Sequence, residues 1–149
     1  MARIFYAFSI LSIIWMASWS TGCKEEVDPN EEVNNRLEGD WEVRSFQALS
    51  NGSAEFMGNV FQRVELEFEK TGPAAGEYTF TFVDVNGNTT VSRGDYELQN
   101  SGGELNLEPD NGSQDEEYDI EFNGDDMELD GFFDYGGGST RAVIEAERS

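Results

Sequence analysis

Strict alternation of apolar and charged residues limits this chain more than any other feature of its sequence. The run Val64-Glu65-Leu66-Glu67-Phe68-Glu69 sets Val64, Leu66 and Phe68 against three glutamates. Side chains alternate across a strand and not around a helix, so the run predicts a strand with one buried face. Tyr78, Phe80 and Phe82 repeat the pattern with Thr79 and Thr81 opposite, and Asn86-Gly87 follows as a two-residue hairpin signal. Thr89 to Leu98 continues the series, with a break expected at Gly94. Leu105 with Leu107, Tyr118 with Ile120 and Phe122, Met127 with Leu129, and Ala142 with Ile144 and Ala146 mark further strands, and Asn123-Gly124 turns the chain. Ahead of them, Asp28, Pro29 and Glu31 fit the N-cap, first-turn and third positions of a short helix. Val33 and Leu37 lie on one face of it, and Gly39 ends it. About eight short strands joined by tight turns predict an all-β, up-and-down antiparallel barrel preceded by that helix. A two-sheet β-sandwich buries alternate residues equally well and stays open as the alternative.

Composition removes whole classes of function. Among 149 residues there are 31 Asp plus Glu against 9 Lys plus Arg, no His and one Cys, for a formal net charge of -22. Imidazole-based catalysis, an internal disulfide and the common zinc sites are excluded. Nucleic acid is excluded as a partner, because phosphate binding needs clustered cations that this surface lacks. With so many acids, any carboxylate pair could be nominated for glycoside hydrolysis, so no catalytic residue and no cofactor is assigned. Glu108, Asp110, Asn111, Asp115, Glu116 and Glu117 crowd one loop, with Asp125 and Asp126 in another, which raises calcium. Their spacing does not fit an EF-hand loop, and no metal site is assigned.

The first segment reads as an address. Arg3 precedes the uncharged, largely apolar run Ile4 to Trp19, the layout of a secretory signal peptide over residues 1–22. Ser20, Thr21 and Gly22 then lead into Cys23. This resembles a bacterial lipobox, although Ser20 stands where an aliphatic residue is usual. The resemblance implies that Cys23 is lipidated and becomes the mature N-terminus, tying the chain to a membrane through a tether over residues 23–29. Lys24-Glu25-Glu26 is similar to a signature that sends lipoproteins to the outer face of the outer membrane, which implies cell-surface exposure. Cleavage before Cys23 leaves 8 basic and 31 acidic side chains, a net charge of -23. Such a surface repels itself unless salt screens it over ~8–10 Å, so a saline working medium is predicted.

Leu37-Glu38-Gly39-Asp40-Trp41-Glu42-Val43 resembles the Gly-X-Trp signature that opens the first strand of lipocalins and of bacterial lipocalin-like lipoproteins. The matching residues are Gly39 and Trp41. Gly94-Asp95-Tyr96-Glu97-Leu98, then Glu104-Leu105-Asn106-Leu107, Tyr118-X-Ile120 and Met127-X-Leu129 are similar to that family in order. The resemblance implies one barrel domain over residues 30–149, with Trp41 plugging its closed end and a calyx for a small apolar or amphipathic ligand. Candidate lining residues are Phe68, Tyr78, Phe80, Phe82, Tyr96 and Phe122, which otherwise fill the core. The segment Leu49 to Asn59 falls at the open end in this resemblance, so Phe56 and Met57 form a lid or pack on the rim. Phe132, Phe133 and Tyr135 form a partner patch or a loop anchored to the core. The sequence thus predicts a non-catalytic, lipid-anchored binding protein. The competing reading is a surface module with a filled core that engages a protein or glycan.

Overall fold

The structure, a computed structural model, describes residues 28–49, 54–135 and 138–149. The signal-peptide and tether readings, including Cys23, lie outside them. Helix α1 (Pro29–Leu37) is followed by β1 (Gly39–Ala48), β2 (Ala54–Glu55), β3 (Phe61–Lys70), β4 (Ala75–Asp84) and β5 (Thr89–Gln99). A single 3-10 turn (Asn100–Gly102) leads to β6 (Glu104–Pro109), β7 (Glu116–Asn123), β8 (Asp126–Tyr135) and β9 (Gly138–Arg148). Each long strand pairs antiparallel with the next, and β9 pairs back onto β1, from Trp41↔Arg148 to Ala48↔Ala142. Eight long strands therefore close into an up-and-down barrel, and the sandwich alternative falls. Closure removes the free edges that a one-faced acidic sheet would expose. No helix among the described residues is long and apolar enough to cross a membrane.

The predicted alternation carries through. Val64, Leu66 and Phe68 of β3 are buried while Glu65, Glu67 and Glu69 are exposed. One turn and one strand position differ from their predictions. The β4–β5 connection spans Val85–Asn88 and is longer than a two-residue hairpin. The Asp84 carboxylate shapes it by accepting bonds from the backbone N–H groups of Asn86 and Asn88, both at 2.8 Å, and Gly87 supplies a φ of +85°. Gly94 does not break β5. It lies opposite Pro109, where a Cβ would collide with the Glu108 carbonyl oxygen, so it lets β6 approach closely.

One end of the barrel is sealed by α1. The Asp28 side chain caps the helix, accepting from the Asn30 N–H at 2.9 Å, as the sequence predicts. Glu31 pairs with Lys70 at 3.6 Å instead of closing a capping box. Asn34 is fully buried. Its amide donates to the carbonyls of Gly72 at 2.8 Å and Ala75 at 3.3 Å, and its oxygen accepts from the Tyr96 hydroxyl at 2.6 Å. This pins the helix to the β3–β4 turn and to β5. The Trp41 indole N–H donates to the Leu37 carbonyl at 2.8 Å, and its ring lies beneath the Arg148 guanidinium at 4.8 Å. Arg148 also donates to the carbonyls of Glu38 and Arg36. Gly39 opens β1 with φ +125°, and a Cβ there would come within 3.0 Å of the Arg148 guanidinium. Gly39, Trp41 and Arg148 thus form one closure, of which the sequence motif exposes two members.

Candidate functional site

The opposite end, far from α1, is built differently. Phe46 packs on Phe56 (5.2 Å between ring centroids), Phe61 (5.7 Å) and Phe133 (5.0 Å), while Phe82 reaches Phe61 (5.2 Å) and Phe133 (5.5 Å). The aromatic column continues down the interior through Phe80, Phe68 and Tyr96 toward the helix. β2 pairs with the last residues of β1, Gln47↔Glu55, and thereby folds the following segment over this end. Phe56 and Met57 are both half-buried there, and Met57 bridges to Phe61.

The wall at this end is incomplete on one side because the β6–β7 hairpin is short. β5 pairs with β6 only from Gly94 onward, so Thr89 to Arg93 pair with β4 alone. Likewise β7 pairs with β8 only as far as Tyr118↔Gly131, so Phe132 to Tyr135 pair with β9 alone. Between these two projecting hairpins the 110–115 loop is held low, with the Asp110 N–H donating to the Arg93 carbonyl at 2.8 Å. The result is a notch in the barrel wall. Along β5, the alternation that buries Gly94, Tyr96 and Leu98 aims Thr90 and Ser92 into the notch. Thr90 is exposed and Ser92 half-exposed. Behind them stand Tyr78, Phe80, Phe82 and Phe133, each no more than 8 % exposed.

Polar atoms converge on the floor of the notch. The Tyr78 hydroxyl lies 3.4 Å from Ser92 Oγ. The Tyr118 hydroxyl donates to the Glu116 carboxylate at 2.8 Å. Glu116 occupies the first position of β7 and shares its inward phase with the buried Tyr118 and Ile120, so it is a carboxylate facing the interior. Burial pushes the Tyr118 phenol well above its ordinary range, and the neighbouring Glu116 charge raises it further. Burial also raises Tyr78, with Glu116 and Asp110 adding to the shift and the Ser92 bond opposing it. Both phenols therefore stay protonated, as hydrogen-bonding groups and not as phenolates.

The other sequence candidates distribute between the two ends. Phe68, Tyr78, Phe80 and Phe82 line the interior, with Phe82 nearest the notch. Tyr96 spends its hydroxyl on Asn34 at the helix end, where burial first and the Glu38 charge second push its phenol up to about 12. Phe122 lies at the helix end too, 5.9 Å from Trp41 with the Arg36 guanidinium 4.4 Å above its ring. Phe133 faces inward, whereas Phe132 is 59 % exposed on the outer face. The acidic residues that raised calcium do not assemble: no group of three or more metal-ligating side chains forms among the described residues. Sequence reasoning placed Glu116 in that acidic loop and passed over Phe46, Phe61, Thr90 and Ser92. The signal for Glu116 was present, since counting back two residues from Tyr118 puts it on the buried face.

The lipocalin-like domain family matches residues 37–129. The chain belongs to that family. No curated protein matches it. Among solved structures it is similar to a redesigned β-barrel bound to DFHBI, at 12% identity with a TM-score of 0.54, covering 78% of this chain and 98% of that one. It is similar to the siderocalin Ex-FABP, a protein with dual ligand specificities, at 10% identity and a TM-score of 0.55, covering 76% and 74%. Lobster apocrustacyanin A1 matches at 17% identity and a TM-score of 0.53, covering 83% and 69%. At these identities the likeness is one of fold. It agrees with the Gly39 and Trp41 signature and with the closed barrel. A lipocalin-like barrel is consistent with holding a ligand inside.

Proposed function

We propose that this lipocalin-like protein is a lipid-anchored, non-catalytic binding protein of the outer membrane, facing the cell exterior, that takes one small apolar or amphipathic molecule into the notched end of its barrel. The observation that carries the binding half is the break in strand pairing between the β4–β5 and β8–β9 hairpins, at the level of the buried Phe82 and Phe133 rings. Pockets that hold small molecules are mostly apolar and carry a few fixed polar groups. The notch offers both, with the tyrosine hydroxyls, Ser92 and Glu116 as its polar groups. Phe56 and Met57, from the segment after β2, pack over the same end.

Titration of an environment-sensitive apolar dye, with native mass spectrometry on the same purified protein, tests the reading. Saturable binding near one per chain is expected, and Phe82→Arg should weaken it by at least about tenfold, because a buried cation displaces the aromatic floor. A folded protein that binds no dye and carries no small molecule would overturn it. The anchoring half rests on Cys23 at the end of an apolar leader. Cys23→Ser should abolish metabolic labelling with a lipid precursor, and retained labelling would refute the anchor. A second reading has its own observation: Leu49, Val85, Val91 and Phe132, the exposed large apolar residues among those described, all lie toward the notched end. If the dye fails, this rim becomes the surface on which to seek a protein or glycan partner.

A further inference from the structure

The binding reading leaves the chemical class of the ligand open, and the inward-facing Glu116 narrows it. Among the described residues the buried inward positions of the strands are apolar, tyrosine or glycine, and the other charged residues on the inward phase stand at strand ends with tasks of their own: Lys70 and Arg148 at the helix end, and Asp84 at the β4–β5 turn. Glu116 departs from that rule at the floor of the notch, where the Tyr118 hydroxyl holds its carboxylate at 2.8 Å. Asp110 lies close enough to act electrostatically on the same Tyr78 phenol as Glu116 does. Among the described residues, no cation shares the inward phase at this end of the barrel. Arg36 and Arg148 cover the helix end, and Lys70 reaches Glu31 and Asn35. Arg44, Arg63, Arg93 and Arg141 take outward positions on their strands.

We infer that the notch selects an amphiphile with a cationic amine head and an apolar or aromatic body, the ammonium meeting Glu116 and the tyrosine hydroxyls while the body lies against Phe82 and Phe133. The inference rests on the binding reading above. An ammonium gains from a carboxylate in partly dry surroundings and from the faces of the aromatic rings. A ligand carboxylate placed there would face Glu116 and Asp110 with no compensating cation on the inner wall. The field of the whole acidic barrel acts in the same direction on approaching ions.

A series with one body and three heads separates the possibilities: 4-phenylbutylamine, 4-phenylbutanol and 4-phenylbutyrate, titrated calorimetrically into the purified protein in 150 mM KCl. The amine should bind at least about tenfold more tightly than the carboxylate, with the alcohol between them. Glu116→Gln should reduce that preference to about twofold or less, whereas Glu128→Gln, on the outer face of β8, should retain it. Equal or tighter binding of the carboxylate would overturn the inference while leaving the binding reading intact. A preference that survives Glu116→Gln would also overturn it, since attraction would then belong to the general surface field. If none of the three binds, the alcohol included, the binding reading fails and the inference falls with it.

Discussion

Trp41→Ala should lower the unfolding free energy by about 3–5 kcal/mol, read as a large fall in the urea midpoint. Three losses coincide at this one residue. Its side chain is 2 % exposed, so truncation opens a cavity under the sealed end that the neighbouring strands cannot collapse without breaking the β1–β9 register. The Leu37 carbonyl at the end of α1 loses its indole donor, and an unsatisfied buried acceptor adds about 1–3 kcal/mol of its own where water cannot replace the bond. Arg148, which lies over the ring, loses its cation–π partner and with it part of the hold on the carbonyls of Glu38 and Arg36. Trp41→Phe should cost markedly less, because it keeps most of the volume. A midpoint unchanged by Trp41→Ala would mean that the helix seals the barrel without its plug, which would remove the structural role of the Gly39 and Trp41 signature.

Molar salt should raise the thermal midpoint by at least about 5 °C over low ionic strength. Net charge alone suggests the direction, and the register supplies a specific cause. On the outer face, carboxylates stand directly opposite one another across successive strands. Glu69, Glu77, Asp95 and Glu108 form one row over β3 to β6, and Glu121, Glu128 and Glu145 another over β7 to β9. Asp126, Glu147, Glu42 and Glu65 form a third, and here Arg44 intervenes, pairing with Asp126 and Glu147. Like charges directly opposed on a sheet destabilise it by about 0.2–1 kcal/mol per pair, and each of these pairs is open to screening by counterions. Melting followed by circular dichroism in KCl from 10 mM to 2 M would measure it. A midpoint that stays constant would show that the rows are already neutralised by other means and would remove the argument for a saline working medium.

How much was legible beforehand depends on whether a property is local. Period-two alternation is carried by each strand separately, so the strands, their buried faces and the short capped helix could be read directly from Val64 to Phe68, Tyr78 to Phe82 and the Asp28-Pro29 start. Barrel closure was legible only as one of two options. It depends on β9 finding β1 about a hundred residues earlier in the chain, and both a barrel and a sandwich bury the same alternate residues. Aromatic type was readable, but level along the barrel axis was not. Phe122 and Phe82 carry the same strand signal, yet strand direction and register put one beside Trp41 at the sealed end and the other on the floor of the notch. The notch itself has no motif. It arises because β6 has 6 residues while β5 and β8 have 11 and 10, a difference that matters only once these strands stand side by side.

Glu116 shows the division most plainly. By itself the sequence determined a one-faced, strongly acidic β-structure with a Gly-X-Trp start, because alternation, charge and turn chemistry act over a few residues. The phase of Tyr118 already put Glu116 on the buried face, but only the tertiary structure decided that the Tyr118 hydroxyl meets its carboxylate where the β6–β7 hairpin stops short. The reason is that a strand's phase tells which residues share a face, whereas the lengths and pairing of its neighbours decide whether that face is sealed.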